Sequence, residues 1–145
     1  RQREYFLRTV ECLQEEDGAF RPTDDAWTLT QQIAHTAQTV DWFVEGAFSD
    51  TGFDHNWDGL EEKLSKVNDL KGALEWFNKS YADAIRFLSE QPEAELMKPI
   101  ADEHIMTGAP RITLVAALAD HTAHHRGAIS VYARQCGRTP AMPYM

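Results

Sequence analysis

Apolar side chains recur along this chain at steps of three and four, the spacing of a helix that turns one face toward a core. No stretch alternates convincingly enough to read as a strand. Four helices are predicted. Tyr5, Phe6, Val10 and Leu13 place the first from about Glu4 to Glu16, with Gly18 as its stop. After a polar connection at Arg21-Pro22-Thr23-Asp24-Asp25, Thr28 followed by Gln31 forms a capping-box pattern and opens the second, from about Leu29 to Phe48. Its stripe is Ile33, Ala34, Ala37, Val40 and Val44. Asp69 can cap the third, from about Leu70 to Ser89, with Leu74, Phe77, Tyr81, Ile85 and Leu88 on one face; Gln91-Pro92 ends it. Pro110 suits a first helical turn, and the last helix runs from about Arg111 to Cys136. Gly137 is its natural C′ residue, and Pro140 and Pro143 prevent continuation.

The connections are unequal. Residues 49 to 68 are long for a link between antiparallel neighbours, so this segment is expected to cross the length of a bundle, with a short helical turn near Leu60 to Lys66. Residues 93 to 109 form a second long connection. Four amphipathic helices with such links indicate an all-α four-helix bundle with at least one crossover, a single domain over residues 1–145.

The last helix carries the candidate chemistry. Three of the six histidines fall within Asp120-His121-Thr122-Ala123-His124-His125-Arg126-Gly127. His121 and His125 stand one turn apart, with Cβ atoms roughly 6 Å from each other. They share a stripe with Leu114, Leu118, Ile129 and Tyr132, so both imidazoles are expected to point inward. One inward histidine is ordinarily a core ring with a single hydrogen bond. Two on one apolar stripe each need a buried partner, or they share a metal ion. His124 lies on a more polar face, four residues after Asp120; it reads as a surface pair, with the orientation of a ligand as the other role.

Spacing excludes several bundle chemistries. No histidine has Glu three residues before it, as di-iron carboxylate bundles require, and Thr122 stands where His-Glu-x-x-His metalloproteases need Glu. Cys-x-x-Cys-His haem attachment is absent. What remains is His121 and His125 with a third ligand from a facing helix. His35, in the middle of the second helix, is the first candidate, although alone it reads as a half-buried helix-surface ring; His55 and His104 lie in predicted loops. Three neutral imidazoles leave a divalent ion open to water or substrate, the composition of a catalytic site.

Composition narrows the partners. With 145 residues and 43% hydrophobic content the chain can build one core, and its net charge of −9 shows no basic stripe, so nucleic acid is not expected as a partner. No run of about 20 apolar residues exists, and Arg1-Gln2-Arg3-Glu4 leads into no signal-peptide core; a soluble, cytoplasmic protein without membrane association is expected. The absence of an initial methionine suggests a trimmed N-terminus. Cys12 and Cys136 form no paired motif and are expected to be reduced.

These residues carry a resemblance. Trp27-Thr28 with His35, the His121 to Gly127 motif and the trailing Gly137-Arg138-Thr139-Pro140 resemble the DinB-like family of four-helix metalloproteins, which includes bacillithiol transferases and is related to mycothiol-dependent enzymes. The likeness spans the chain in helix order. It implies that His35, His121 and His125 hold a divalent metal, nickel or zinc, in an up-down-down-up bundle that forms a homodimer. The family's frequent Gln after His-Arg-Gly is Ala128 here, so any role of that amide is missing. The expected function is a metal-dependent thiol S-transferase, with a low-molecular-weight thiol as a substrate. A hydrolase at the same site, or a non-enzymatic stress-response bundle that binds metal or ligand, are the alternatives. Asp41, Glu45 and Tyr132 are candidates for acid-base help, and Trp42, Trp57 and Trp76 for a cavity lining.

Overall fold

The computed structural model describes residues 1–145 and contains helices without strands. Six α-helices follow one another: α1 (Gln2–Val10), α2 (Leu29–Phe48), α3 (Trp57–Ser65), α4 (Leu70–Ser89), α5 (Glu93–Leu96) and α6 (Leu114–Gln135). Short 3₁₀ turns occupy Glu15–Ala19 and Arg111–Thr113. The expectation of four helices is therefore corrected to six.

α2 and α4 have the bounds that their caps predict. Thr28 Oγ1 accepts from the Gln31 amide at 3.1 Å while Gln31 Oε1 accepts from the Thr28 amide at 2.9 Å, a complete capping box. Asp69 Oδ1 accepts from the Gly72 amide, and Glu15 accepts from Leu70 and Lys71, so α4 begins with two carboxylates against its free N–H groups. α6 ends in a Schellman motif: the Gly137 amide donates to Arg134 and the Arg138 amide to Ala133, with Gly137 at φ +78°.

The first helix is shorter than its periodicity predicts. Asp17 draws the chain into a 3₁₀ turn by accepting from the Gln14 amide at 2.8 Å, and Arg138 clasps the same carboxylate at 2.7 and 3.1 Å. Between α2 and α4 the expected helical turn is a full helix, α3, capped by Asn56.

One core runs through these elements. Phe6, Leu29, Ile33, Phe77, Leu114 and Ile129 are wholly buried, each contributing on the order of 1.5–3 kcal/mol of burial. Phe6 of α1 stacks on Phe77 of α4 with ring centroids 4.1 Å apart. α2 packs on α4, with Trp76 donating to Asp41 Oδ2 at 2.7 Å and the Phe48 and Phe87 rings edge to face. Its other flank packs on α6. Ile85 departs from the predicted inward face of α4 and is 57% exposed.

Buried Asp102 ties the two long connections together. Its carboxylate accepts from the backbone N–H groups of Phe53, His104 and Ile105 and contacts His55 Nε2 at 2.9 Å. Burial pushes its pKa up, but these bonds prevail and hold it well below the usual carboxylate range. Gly52, at φ +83°, permits the approach, since a Cβ there would lie 2.7 Å from the Asp102 Cα. This latch fixes the segment that leads into α3.

Candidate metal centre

Two helices carry the three imidazoles. α2 brings in His35, and α6 brings in His121 and His125 from consecutive turns, so packing α2 against α6 places all three together. One nitrogen from each ring lies within 4.8 Å of the others. Ring centroids are 4.4 Å apart for His121 and His125, 4.8 Å for His35 and His125, and 5.2 Å for His35 and His121. His125 is buried, and the other two are half-buried.

Gln32 sets the tautomer of His125. Its side-chain oxygen lies 2.8 Å from His125 Nδ1, and an amide oxygen can only accept, so Nδ1 carries the proton and Nε2 offers its lone pair. That Nε2 faces His121 Nε2 at 3.1 Å. Gln32 is itself steadied, donating from Nε2 to the Tyr132 hydroxyl at 3.5 Å.

The rings are neutral at neutral pH. Burial, followed by the charge of neighbouring imidazoles, pushes the pKa of His35, His121 and His125 down to about 4 each. Neutral imidazole is the ligating form. Metal–nitrogen bonds of about 2.0–2.1 Å place two ligands of one tetrahedral ion about 3.4 Å apart. The 3.1 Å contact is close to that, and the wider spread to His35 is within reach of a side-chain rotation. The residues fit a divalent cation with three nitrogen donors.

A cavity of about 500 Å³ opens onto the cluster. His35 and His121 form part of its wall, with Trp27, Trp42, Phe43 and Trp57 as the aromatic remainder. The Trp27 ring lies 4.4 Å from His35 and 6.5 Å from His125, covering the cluster on one side. Gln38 donates to the Leu60 carbonyl at 2.7 Å, which pins α3 along the opposite side.

Other expected residues lie elsewhere. His55 is bound to Asp102, and the His104 ring lies 5.8 Å from that of His55, away from the three-histidine group. His124 is exposed, and its expected salt bridge with Asp120 is not formed; its ring stands perpendicular to that of His125. Asp41 accepts from Trp76, which removes both from the cavity; Glu45 lines a separate depression with Ser49 and Asp54. Tyr132 reaches the cluster only through Gln32. Trp42 and Trp57 line the cavity as expected.

Sequence reasoning missed Gln32, and it missed the places of Trp27 and Glu61 in the cavity wall. Gln32 precedes His35 by one helical turn, a spacing that marks it as a neighbour. Trp27 sits outside the α2 cap, and Glu61 in the short helical turn expected from Leu60 to Lys66, whose packing against α2 the sequence does not encode.

Comparisons with known proteins bear on the family and the fold. The sequence model of the DinB superfamily matches residues 1–129. The fold is similar to the crystal structure of a DinB-like protein from Bacillus cereus ATCC 10987, with a TM-score of 0.74 and 19% identity, covering 97% of this chain and 89% of that one. No curated protein matches the chain.

Proposed function

Because the chain belongs to the DinB superfamily, we propose that it binds a divalent metal, nickel or zinc, through His35, His121 and His125 and acts as a thiol S-transferase. The observation that carries this reading is the convergence of three neutral imidazoles beside an open cavity. A sealed site with four protein ligands would have favoured a purely binding role. Three nitrogen donors suit zinc and nickel alike.

When bound, a divalent cation at these donors supplies Lewis acidity that favours the thiolate of an incoming low-molecular-weight thiol. Gln32 holds His125 with its lone pair toward the cluster, and Trp27 shields the rings from water. The cavity walls position the electrophile. Its carbon forms a bond to the thiolate sulfur as the leaving group departs with its electron pair, and the thiol proton passes to solvent.

We also read the path as an up-down-down-up four-helix bundle of α1, α2, α4 and α6. Asp41 meets Trp76 and Phe48 meets Phe87, which supports parallel α2 and α4. Gln32 meets Tyr132 while His35 meets His121, which supports antiparallel α2 and α6.

The test is turnover of monobromobimane by metal-loaded protein with glutathione, bacillithiol or mycothiol. At least one thiol should react at a rate that depends on the metal and disappears in a His121→Ala, His125→Ala variant. Inactivity with all three in metal-loaded protein contradicts the transferase reading.

A further inference from the structure

On the side of α6 turned away from the histidines, the C-terminal tail folds back and encloses a second pocket, of about 330 Å³. Arg126, Ser130 and Arg134 recur there at every fourth residue, roughly 100° to 180° around the helix from His125. Thr9 of α1 and Pro140 and Met142 of the tail complete the wall. The tail is tied to α1: Arg8 donates to the Pro143 carbonyl at 3.0 Å, and the Tyr144 ring lies edge-on to Tyr5 with centroids 5.0 Å apart.

Charge sets this pocket apart. It holds two guanidinium groups and no carboxylate, in a chain whose 23 acidic and 14 basic residues would favour acidic neighbours. Arg111 and Arg138 clasp carboxylates, but Arg126 and Arg134 form no ion pair. Arg126 donates only to the Tyr144 hydroxyl, at 2.9 Å, and its Nε is enclosed without a hydrogen-bond partner. Arg134 donates only to the Ser130 carbonyl, at 2.8 Å. A guanidinium carries five N–H donors, so most of the donor capacity of both residues is unused by the protein.

Arg126 is also oriented in advance. Its guanidinium carbon lies 5.2 Å from the centre of the Tyr144 ring and 5.9 Å from that of Tyr5. The Thr9 and Ser130 hydroxyls donate to the Tyr5 and Gly127 carbonyls at 2.9 and 3.0 Å, which leaves recognition to the arginines. Guanidinium forks match the oxygens of a phosphate, and the volume lies at the small end of ligand cavities, which suits a compact molecule. A divalent cation on the three histidines would lie across α6 and outside this pocket, where its charge adds attraction for an anion.

We propose that the pocket between α6 and the C-terminal tail binds the phosphate group of a small molecule through Arg126 and Arg134. This goes beyond the transferase reading and does not depend on it.

The test is a titration with inorganic phosphate, followed by heteronuclear NMR at constant ionic strength in sodium chloride, on protein freed of both metal and chelator. Saturable shifts should centre on the Arg126 and Arg134 side chains and on the amides of Gly127, Ser130, Ala141 and Met142. Arg126→Gln and Arg134→Gln should each weaken binding about tenfold, and acetate should bind about tenfold more weakly than phosphate. Arg21→Gln, in the exposed connection before α2, should change nothing. The spectrum of each variant establishes that it folds, and the exposed Arg134 can be replaced without touching the core if Arg126→Gln does not fold. Shifts that never saturate, shifts centred on His35, His121 and His125, equal affinity for acetate, or wild-type affinity in folded Arg134→Gln would each overturn the inference.

Discussion

Gln32 gives one ring of the histidine cluster a fixed direction. An imidazole has two nitrogens of similar basicity, and only a fixed partner on one determines which lone pair faces the cluster. The 2.8 Å contact from His125 Nδ1 to the Gln32 oxygen does this. Gln32→Leu keeps the approximate size and removes the acceptor. It should weaken metal affinity about tenfold to hundredfold while leaving helix content intact. Competition against a fluorescent chelator measures this, and an unchanged affinity would remove Gln32 from the site.

The same three rings set a pH dependence. Their folded pKa values, about 4, lie below the ordinary histidine value of 6.5. Above about 6.5 both folded and unfolded chains hold them neutral. As pH falls toward 4 the unfolded chain binds protons that the folded one refuses, so stability is lost across that window. Thermal unfolding of the metal-free protein should therefore show Tm falling between about pH 6.5 and 4. The slope should be shallower in the His121→Ala, His125→Ala variant. Identical slopes would mean that these rings are not desolvated.

At the scale of elements, what was readable depended on whether a local signal decided the outcome. α2 and α4 are bounded by Thr28 with Gln31 and by Asp69, side chains that satisfy the first N–H groups within their own turn, and their limits were legible. The end of α6 was legible for the same reason at Gly137. The break after Val10 was not, because it depends on Asp17 meeting Arg138, 121 residues later. Likewise the expected inward placement of Ile85 rested on periodicity alone, and its side chain is 57% exposed although Tyr81 and Ala84 beside it are buried.

The site followed the same division. Its three converging histidines were accessible because two share a helical stripe and the third completes a family pattern. The aromatic wall was half accessible. Trp42 and Trp57 were anticipated, but Trp76 turns to Asp41, a pairing between helices that neither helix encodes by itself. Glu61 and Trp27 join the cavity only through the packing of α3 and the chain before α2.

For the whole molecule, the fold places two helices so that a preorganised donor set meets a wide apolar opening. Desolvation keeps the donors neutral, and the aromatic walls limit water beside them. No helix is long and apolar enough to cross a membrane. The comparison by fold covers 97% of the chain, so its helices belong to one architecture.

The central claim is that His35, His121 and His125 hold one cation together. Metal analysis by plasma mass spectrometry, on wild type and on the His121→Ala, His125→Ala variant purified identically, addresses it most directly. About one divalent ion per chain is predicted for the wild type and almost none for the variant. Equal metal in the two proteins would contradict the account.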